Sequence, residues 1–299
     1  MTSAKTKMKL CFVGNCQTTF LNNVIKHHDF PISQIDIPQA YRASASDKNA
    51  FVDIYDSADV IITRLMSGRV QEFVSTKWLR DNFGDKLVVI PNMYFNGFDP
   101  DLCRIYDNSY RIIQGPLGDY SCNMIHFSYI NNWSIGQCIN LIRRDDILNW
   151  YDDPLRKSLD TQRSREASCD IKMIDFVECN FTRRRLFYTF NHPTNDLLLE
   201  LFHRLMSFLG ISGSREWNFD GNFLRSNSLS YVVSPIHPAI QRRYKIEFEC
   251  SGFEYQTIFL NNGSPSGEGR RRYMTIDEIV PVFFEIYRNS GLARSGNAN

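Results

Sequence analysis

Short apolar runs alternate with helical patterns over the first 90 residues, and this alternation is what most limits the folds open to the chain. Four such runs occur, at residues 10–13, 35–37, 58–63 and 86–90. Apolar residues at helical spacing follow the first run, namely Phe20, Leu21, Val24 and Ile25, and a second helix is predicted over residues 70–83. Strands separated by helices favour parallel crossovers, and short apolar strands indicate burial on both faces. The sequence therefore predicts an α/β fold with an open, mostly parallel, doubly wound sheet.

The later part of the chain predicts helical decoration around this sheet. Residues 134–180 are predicted to form a helical insertion, and residues 186–190 a further strand that leads into a helix capped by Thr194. The other predicted elements are a loop at residues 261–272, a helix at 276–287 and a disordered tail at 289–299. Residues 1–288 are accordingly expected to form a single α/β domain with the insertion at about 134–180.

Composition excludes several classes of protein. The 299 residues are 43% hydrophobic and 22% charged with a formal net charge of +1, so no global basic field attracts nucleic acid or membranes. Eight cysteines lack CxxC pairs and zinc-site spacing, which predicts reduced thiols and no metal site. The lysine-containing N-terminus precedes too few apolar residues for a signal peptide, and no run reaches the roughly 20 residues of a membrane span. We expect a cytoplasmic protein without an integral membrane segment.

The first predicted strand ends in Gly14-Asn15-Cys16-Gln17, which puts a thiol at the start of a helix. Gly14 permits the backbone angles of a tight turn, and backbone N–H groups and the positive dipole end then face the sulfur. Such a position lowers a cysteine pKa from roughly 8.5 toward neutrality, and the same amides can bind a phosphate or an oxyanion. An inert, packed cysteine is the alternative.

The second predicted junction of strand and helix carries His192. If the two strands are parallel neighbours, both junctions open on one crevice, where Cys16 and His192 would serve as an activated thiol or as a base beside a thioester. A structural, hydrogen-bonding histidine is the alternative. Asn15 and Asn191 flank the two reactive residues and are predicted to bind an oxyanion or orient the imidazole, unless they are only turn residues.

Other side chains near these junctions are candidate ligand contacts. Arg64 and Arg69 follow the third strand, where they could clamp a phosphate or remain solvated. Tyr94 and Asn96 follow the fourth strand in a loop that forms either a wall for a flat ligand or a plug for the core. Gln17 either reaches a ligand or is solvated. The second- and third-ranked candidate bases, after His192, are His126 and His237.

Four segments, taken in order, resemble the WcbI-type polysaccharide biosynthesis proteins. They are Gly14-Asn15-Cys16-Gln17, residues 91–102, Tyr120-Ser121 and residues 186–193, and the likeness spans about residues 8–240. The resemblance implies a coenzyme A-binding O-acetyltransferase of capsular or other surface polysaccharide assembly. Its implied partners are acetyl-coenzyme A and a sugar or polysaccharide precursor.

The predicted catalytic residues are Cys16, His192, Asn15 and Asn191. The predicted coenzyme-binding residues are Gly14, Asn15, Cys16, Gln17, Arg64, Arg69, Tyr94, Asn96, Ser121 and His192. The Gly14-Asn15-Cys16 turn also resembles, by position only, the Gly-Asp-Ser turn of SGNH-type esterases and acetyltransferases. No Asp lies two or three residues before His192 to orient it, and Asp196 lies one helical turn beyond it. Transfer could be direct or pass through an acetylated Cys16. The alternatives are a cysteine-dependent esterase or deacetylase of SGNH-like type and a non-catalytic nucleotide-binding module.

Overall fold

The computed structural model describes residues 7–28, 30–258 and 271–294. The predicted loop at 261–272 and the predicted tail at 289–299 lie outside these residues except at 271–272 and 289–294. The described contacts divide the chain into two units. The first comprises Met1–Met93, Thr161–Glu178 and Pro193–Leu229, and the second Tyr94–Asp160, Cys179–His192 and Ser230–Asn299. The single domain expected from the sequence stays a prediction.

The strands and helices alternate through the first 90 residues and become irregular afterwards. The strands are β1 (Met8–Val13), β2 (Ile32–Ile35), β3 (Val60–Arg64), β4 (Leu87–Ile90), β5 (Leu102–Cys103), β6 (Ser121–Cys122), β7 (Phe187–Thr189), β8 (His192–Pro193), β9 (Val232–Val233), β10 (Glu254–Thr257) and β11 (Arg272–Thr275). The helices are α1 (Cys16–Lys26), α2 (Lys48–Ser57), α3 (Thr76–Phe83), α4 (Asn123–Ile130), α5 (Ile135–Ile142), α6 (Pro154–Glu166), α7 (Ile174–Asn180), α8 (Asn195–Phe208), α9 (Gly221–Ser226), α10 (Pro238–Tyr244) and α11 (Ile276–Asn289).

A parallel sheet with strand order β2-β1-β3-β4 lies in the first unit, so the predicted α/β class is confirmed. Alternate residues of β1 are buried on opposite faces. Cys11 and Val13 belong to a core cluster with residues of α2 and α3, whereas Leu10 and Phe12 point to the other face and are also buried. Both faces of the sheet are therefore covered, as a doubly wound sheet requires.

Two predicted elements of the first unit differ from the structure. The second strand occupies Ile32–Ile35 rather than 35–37, because pairing with Met8–Cys11 of β1 sets its position. The helix predicted over 70–83 is a short 3-10 turn at Glu72–Val74 followed by α3. Ser75 separates the two, since its side chain accepts the Trp78 N–H at 3.2 Å as an N-cap. Helix α2 was not predicted.

The strand predicted at 186–190 forms, but not within the parallel sheet. As β7 it pairs with β8 in a two-stranded sheet of its own. The condition placed on Cys16 and His192, that their strands be parallel neighbours, is therefore not met, and the two residues belong to different units. The second unit also contains the antiparallel sheet β11-β10-β9, which was not predicted because its strands are short and far apart in sequence.

The helices predicted in the second half of the chain are present. Residues 134–180 contain α5, α6 and α7, and α11 begins at Ile276 with a capping box formed by Thr275 and Glu278. Thr194 occupies the N-cap of α8, although its hydroxyl makes no capping hydrogen bond. Within the described ranges, no helix has the length and apolar character needed to cross a membrane.

Candidate functional site

The turn between β1 and α1 is built on a close approach that only glycine allows. A Cβ atom at Gly14 would lie 2.7 Å from Thr18 Oγ1, 2.8 Å from Thr18 Cγ2 and 3.3 Å from Arg64 Cδ. The backbone of Gly14 is not in the left-handed region, so the reason predicted from the sequence, special backbone angles, is wrong. The glycine is required because β1, α1 and the Arg64 side chain meet there.

Asn15 is the N-cap of α1. Its side-chain Oδ1 accepts the Gln17 N–H at 3.1 Å, and its carbonyl accepts the Thr19 N–H at 2.9 Å and the Thr18 hydroxyl at 2.8 Å. The cap fixes the entry of the chain into the helix. The side-chain oxygen of Asn15 is therefore committed to the turn, which leaves its amide nitrogen as the group that can donate to a ligand.

Gln17 is neither solvated nor directed at a ligand. It is 2% exposed, its Nε2 donates to the Met93 carbonyl at 2.9 Å, and its Oε1 accepts the Met93 N–H at 3.1 Å. The side-chain amide thus pairs with the backbone just beyond β4 and ties α1 to that segment. The predicted ligand contact through this amide is not supported by the geometry.

Cys16 is the first residue of α1 and is half-buried, in contrast to the fully buried Cys11 of β1. Burial raises the pKa of the Cys11 thiol to about 12, which makes that thiol inert. Arg64 is the charged neighbour of Cys16. Burial lowers the pKa of the Arg64 guanidinium, and the negative charge that Cys16 can carry acts in the opposite direction.

Arg64 lines a cavity of about 190 Å³ at the carboxyl end of β3. The lining also includes Ala40, Tyr41, Leu65, Met66, Ser67, Val70 and Val74. The Nε atom of Arg64 is buried and forms no hydrogen bond within the described part of the chain. Arg69, by contrast, is exposed on the turn that follows β3 and does not line this cavity. A half-buried guanidinium whose buried Nε has no hydrogen-bond partner among the described residues favours an anionic ligand here.

In the second unit His192 lies beside a network of three polar side chains. The Tyr120 hydroxyl donates to Asn191 Oδ1 at 2.6 Å, and Thr189 Oγ1 lies 3.2 Å from both of those oxygens. The same hydroxyl is 3.4 Å from both ring nitrogens of His192, so it favours neither nitrogen. The side-chain oxygen of Asn191 is therefore held by Tyr120 and Thr189, and the role predicted for Asn191 stays a prediction.

The charge state of His192 follows from its surroundings. Burial, and then the positive charge of Arg104, lower the pKa of His192 to about 4. The Arg104 guanidinium lies 5.8 Å from the ring centroids of both Tyr120 and Phe190. His192 is consequently neutral at pH 7, the form that accepts a proton, but it is a weaker base than an ordinary histidine.

The remaining candidates of the second unit serve mainly to hold its structure. The Tyr94 ring contacts Phe190 at 5.0 Å, and the Asn96 N–H donates to Ser158 Oγ at 2.8 Å while its Oδ1 is buried without a hydrogen bond. Ser121 is buried and hydrogen-bonded to Tyr287 of α11, so the predicted coenzyme contact there is not supported.

The lower-ranked histidines also have structural surroundings. His237 Nδ1 accepts the Ala239 N–H at 3.0 Å, so its Nε2 carries the proton and donates to the Ile142 carbonyl at 2.9 Å. This histidine caps α10. His126 is half-buried with its ring edge-on to Tyr287, and burial lowers its pKa.

Tyr41, Arg104 and Thr189 are the site residues that the sequence analysis missed. Tyr41 and Arg104 lie beside residues far away in sequence, namely Arg64 at the cavity and Tyr120 and Phe190 beside His192, whereas Thr189 lies within the quoted segment 186–193 but was given no role. Tyr120 was quoted in the family resemblance but given no role. Among the described residues, no group of three or more His, Cys, Asp or Glu side chains could hold a metal ion, and none of the eight cysteines forms a disulfide bond.

Comparisons with known proteins match most of the chain. The model of a family described as polysaccharide biosynthesis enzyme WcbI matches residues 9–214. A solved structure is described as WcbI, a novel polysaccharide biosynthesis enzyme, as native protein without a disulfide bond between coenzyme A and a cysteine. It has a TM-score of 0.71 and 19% identity, and the match covers 95% of this chain and 90% of that chain. At this identity the likeness establishes the fold. No curated protein is significantly similar to the chain.

Replacing Gly14 tests the close approach at the turn. We expect Gly14→Ala to lower the free energy of unfolding by about 1 to 3 kcal/mol, because Thr18 and Arg64 must move to admit the methyl group. Gly84→Ala is the matched control, since nothing lies within 4 Å of its added Cβ. Urea unfolding of both variants measures the difference, and equal stability of the two would contradict the steric role of Gly14.

The depressed pKa of His192 predicts an acid-sensitive contribution to stability. Below pH 6.5 the unfolded chain protonates this residue, whereas the folded chain stays neutral down to about pH 4, so stability falls as the pH falls through that window and is unaffected above it. Near pH 5 the loss amounts to about 2 kcal/mol relative to pH 7. Between pH 7 and pH 5, the free energy of unfolding of His192→Gln should therefore fall by about 2 kcal/mol less than that of the wild type. Urea unfolding at both pH values measures this difference. An identical pH dependence of the two proteins would refute the neutral, buried histidine.

Proposed function

Because the chain belongs to the WcbI family of polysaccharide biosynthesis enzymes, we propose that it is a coenzyme A-dependent acyltransferase acting on a sugar hydroxyl. The acyl donor in this proposal is acetyl-coenzyme A. The solved WcbI structure is described by reference to coenzyme A and a cysteine, which supports the choice of donor and draws attention to the half-buried Cys16.

The observation that carries the proposal is the half-buried guanidinium of Arg64. Within the described part of the chain its buried Nε has no hydrogen-bond partner, and the side chain lies near Cys16 at the start of α1 and lines the 190 Å³ cavity. Coenzyme A has a pyrophosphate and a 3′-phosphate, which satisfy such a cation, and the N-terminus of α1 adds a positive dipole end. The cavity is too small for the whole coenzyme and fits an anionic fragment of it.

The walls of this cavity suit a flat ring beside the phosphate. Tyr41 is 51% exposed and Val70 is 44% exposed, although both line the cavity. Large apolar side chains that remain exposed at a pocket are typical of surfaces completed by a ligand. Together with Arg64 they fit a purine ring linked to an anionic group.

The proposed chemistry needs a base and a group that stabilises negative charge. When bound, acetyl-coenzyme A supplies an activated thioester. His192 accepts the proton of the sugar hydroxyl, whose oxygen forms the new bond to the acyl carbon as the carbon–sulfur bond breaks, and the proton passes to the departing thiolate. Backbone N–H groups at the start of α1 stabilise the negative charge of the phosphates of the coenzyme. In this direct route the sulfur of Cys16 forms no covalent bond to the acyl group.

Coenzyme A should stabilise the folded protein through Arg64. Coenzyme A at 100 times its Kd should raise the free energy of unfolding of the wild type by about 2.7 kcal/mol. Arg64→Gln should weaken the affinity at least tenfold, because it removes the buried charge that faces the phosphates. Arg80→Gln, which removes an exposed arginine of α3, is the control and should bind like the wild type. A wild type whose melting temperature does not change at millimolar coenzyme A would refute the proposal.

Cysteine and histidine variants separate direct transfer from a covalent route. We expect Cys16→Ala to keep acetyl transfer within about tenfold of the wild type, because alanine retains the backbone N–H groups of the helix start. His192→Gln should lose about 10²- to 10⁴-fold, the usual contribution of a general base. The assay follows thiol release from acetyl-coenzyme A with a panel of sugar acceptors. Complete loss of transfer in Cys16→Ala would instead establish an acetylated cysteine on the pathway.

A further inference from the structure

Residues 104–113 form an antiparallel hairpin in the second unit with a rigid, exposed tip. Tyr106 and Ile112 form a β-bridge, and the Asp107 N–H donates to the Arg111 carbonyl at 2.8 Å. The Asp107 carboxylate accepts the N–H groups of Ser109 at 2.8 Å and Arg111 at 2.9 Å, and also the Arg111 Nε–H at 3.0 Å. One aspartate thus holds the backbone of the turn, which fixes where the Cα–Cβ bonds of its residues point.

Tyr110 occupies an unusual place in this turn. Its φ angle is 60°, in the left-handed region, at the position where hairpins of this type normally have glycine. A bulky residue in this conformation is strained, and an observed strain of this kind points to a functional side chain. The ring is also 90% exposed, so packing within the protein does not explain its presence.

The hairpin presents further groups on one face. Arg104 and Tyr106 are both exposed and Ile105 between them is half-buried, which is the alternation of an extended segment with Arg104 and Tyr106 on the same side. Tyr106 is 48% exposed, and the Arg104 guanidinium packs over the Tyr120 and Phe190 rings beside His192. This face therefore extends from the tip of the hairpin toward His192.

We propose that the hairpin at residues 104–113 binds the carbohydrate acceptor, with sugar rings stacked on Tyr106 and Tyr110 and with Arg104 hydrogen-bonded to the sugar nearest His192. This assignment rests on the proposed function. A pyranose ring has C–H groups on its faces and hydroxyls around its rim, so it matches a tyrosine ring, which is apolar on its face and polar at its tip. Tyrosine also provides a large contact area at a low cost in conformational entropy.

The composition of the hairpin favours a sugar over a protein as its partner. Its exposed residues are aromatic, polar or charged, namely Arg104, Tyr106, Asn108, Ser109, Tyr110 and Arg111. Its aliphatic residues Ile105, Ile112 and Ile113 are half-buried or buried. A protein interface needs an apolar core that becomes fully buried, and this surface offers isolated rings among hydrogen-bonding groups instead.

Saturation-transfer difference NMR tests the proposal with a panel of disaccharides of neutral hexoses, N-acetylhexosamines and uronic acids. The wild type should bind at least one class, and Tyr110→Gly and Tyr106→Ala should each weaken that binding about tenfold or more. Tyr110→Phe should bind nearly as well as the wild type, because the ring is retained. Tyr273→Ala, which removes a tyrosine that is 54% exposed on β11, is the matched control and should leave binding unchanged.

Two further measurements keep the result unambiguous. Tyr110→Gly should melt no lower than the wild type, since glycine relieves the left-handed strain, so weaker sugar binding would not result from unfolding. All variants should keep the coenzyme A-induced shift in melting temperature. If the wild type shows no such shift, the proposed function fails, and the assignment of the hairpin as a sugar-binding site is judged by the NMR experiment alone. Absence of binding to every sugar class, or equal binding by Tyr110→Gly, would overturn the assignment. Dissociation of a wild-type dimer by Tyr110→Gly would also overturn it and identify a second copy as the partner.

Discussion

The contact on which the first unit depends is the close approach at Gly14, where the end of β1, the first turn of α1 and the Arg64 side chain meet. The missing Cβ allows Thr18 and Arg64 to pack against the turn. The same packing leaves the Arg64 guanidinium half-buried, with its Nε atom shielded from water. Cys16 and the cavity that Arg64 lines lie next to this contact.

In the second unit, burial and a neighbouring charge set the protonation state of His192. Tyr120, Thr189 and Asn191 satisfy one another's hydrogen bonds, while burial and the charge of Arg104 keep His192 neutral. Among the described residues, no carboxylate is a cause of the lowered pKa of His192, so this geometry gives no support to a catalytic triad of the hydrolase type.

Local patterns predicted much of the fold and less of the site. Helices α1 and α11 were predictable because their apolar stripes and capping residues lie within a few positions of one another. The strand at 186–190 was predicted correctly as a strand, but the sequence left its pairing open, because pairing partners are not encoded locally. The same reason explains the missed sheet β11-β10-β9, whose strands are two to four residues long.

The sequence by itself determined the α/β class, the thiol at the start of the first helix and the family to which the chain belongs, because each depends on neighbouring residues. Only the tertiary structure decided what the polar side chains do. Gln17 pairs with the backbone of Met93, and Ser121 is hydrogen-bonded to Tyr287. Arg64 is half-buried and lines a cavity, while Arg69 is exposed. Hydrogen-bond partners and burial come from residues distant in sequence, so the function of a polar residue follows from the packing around it.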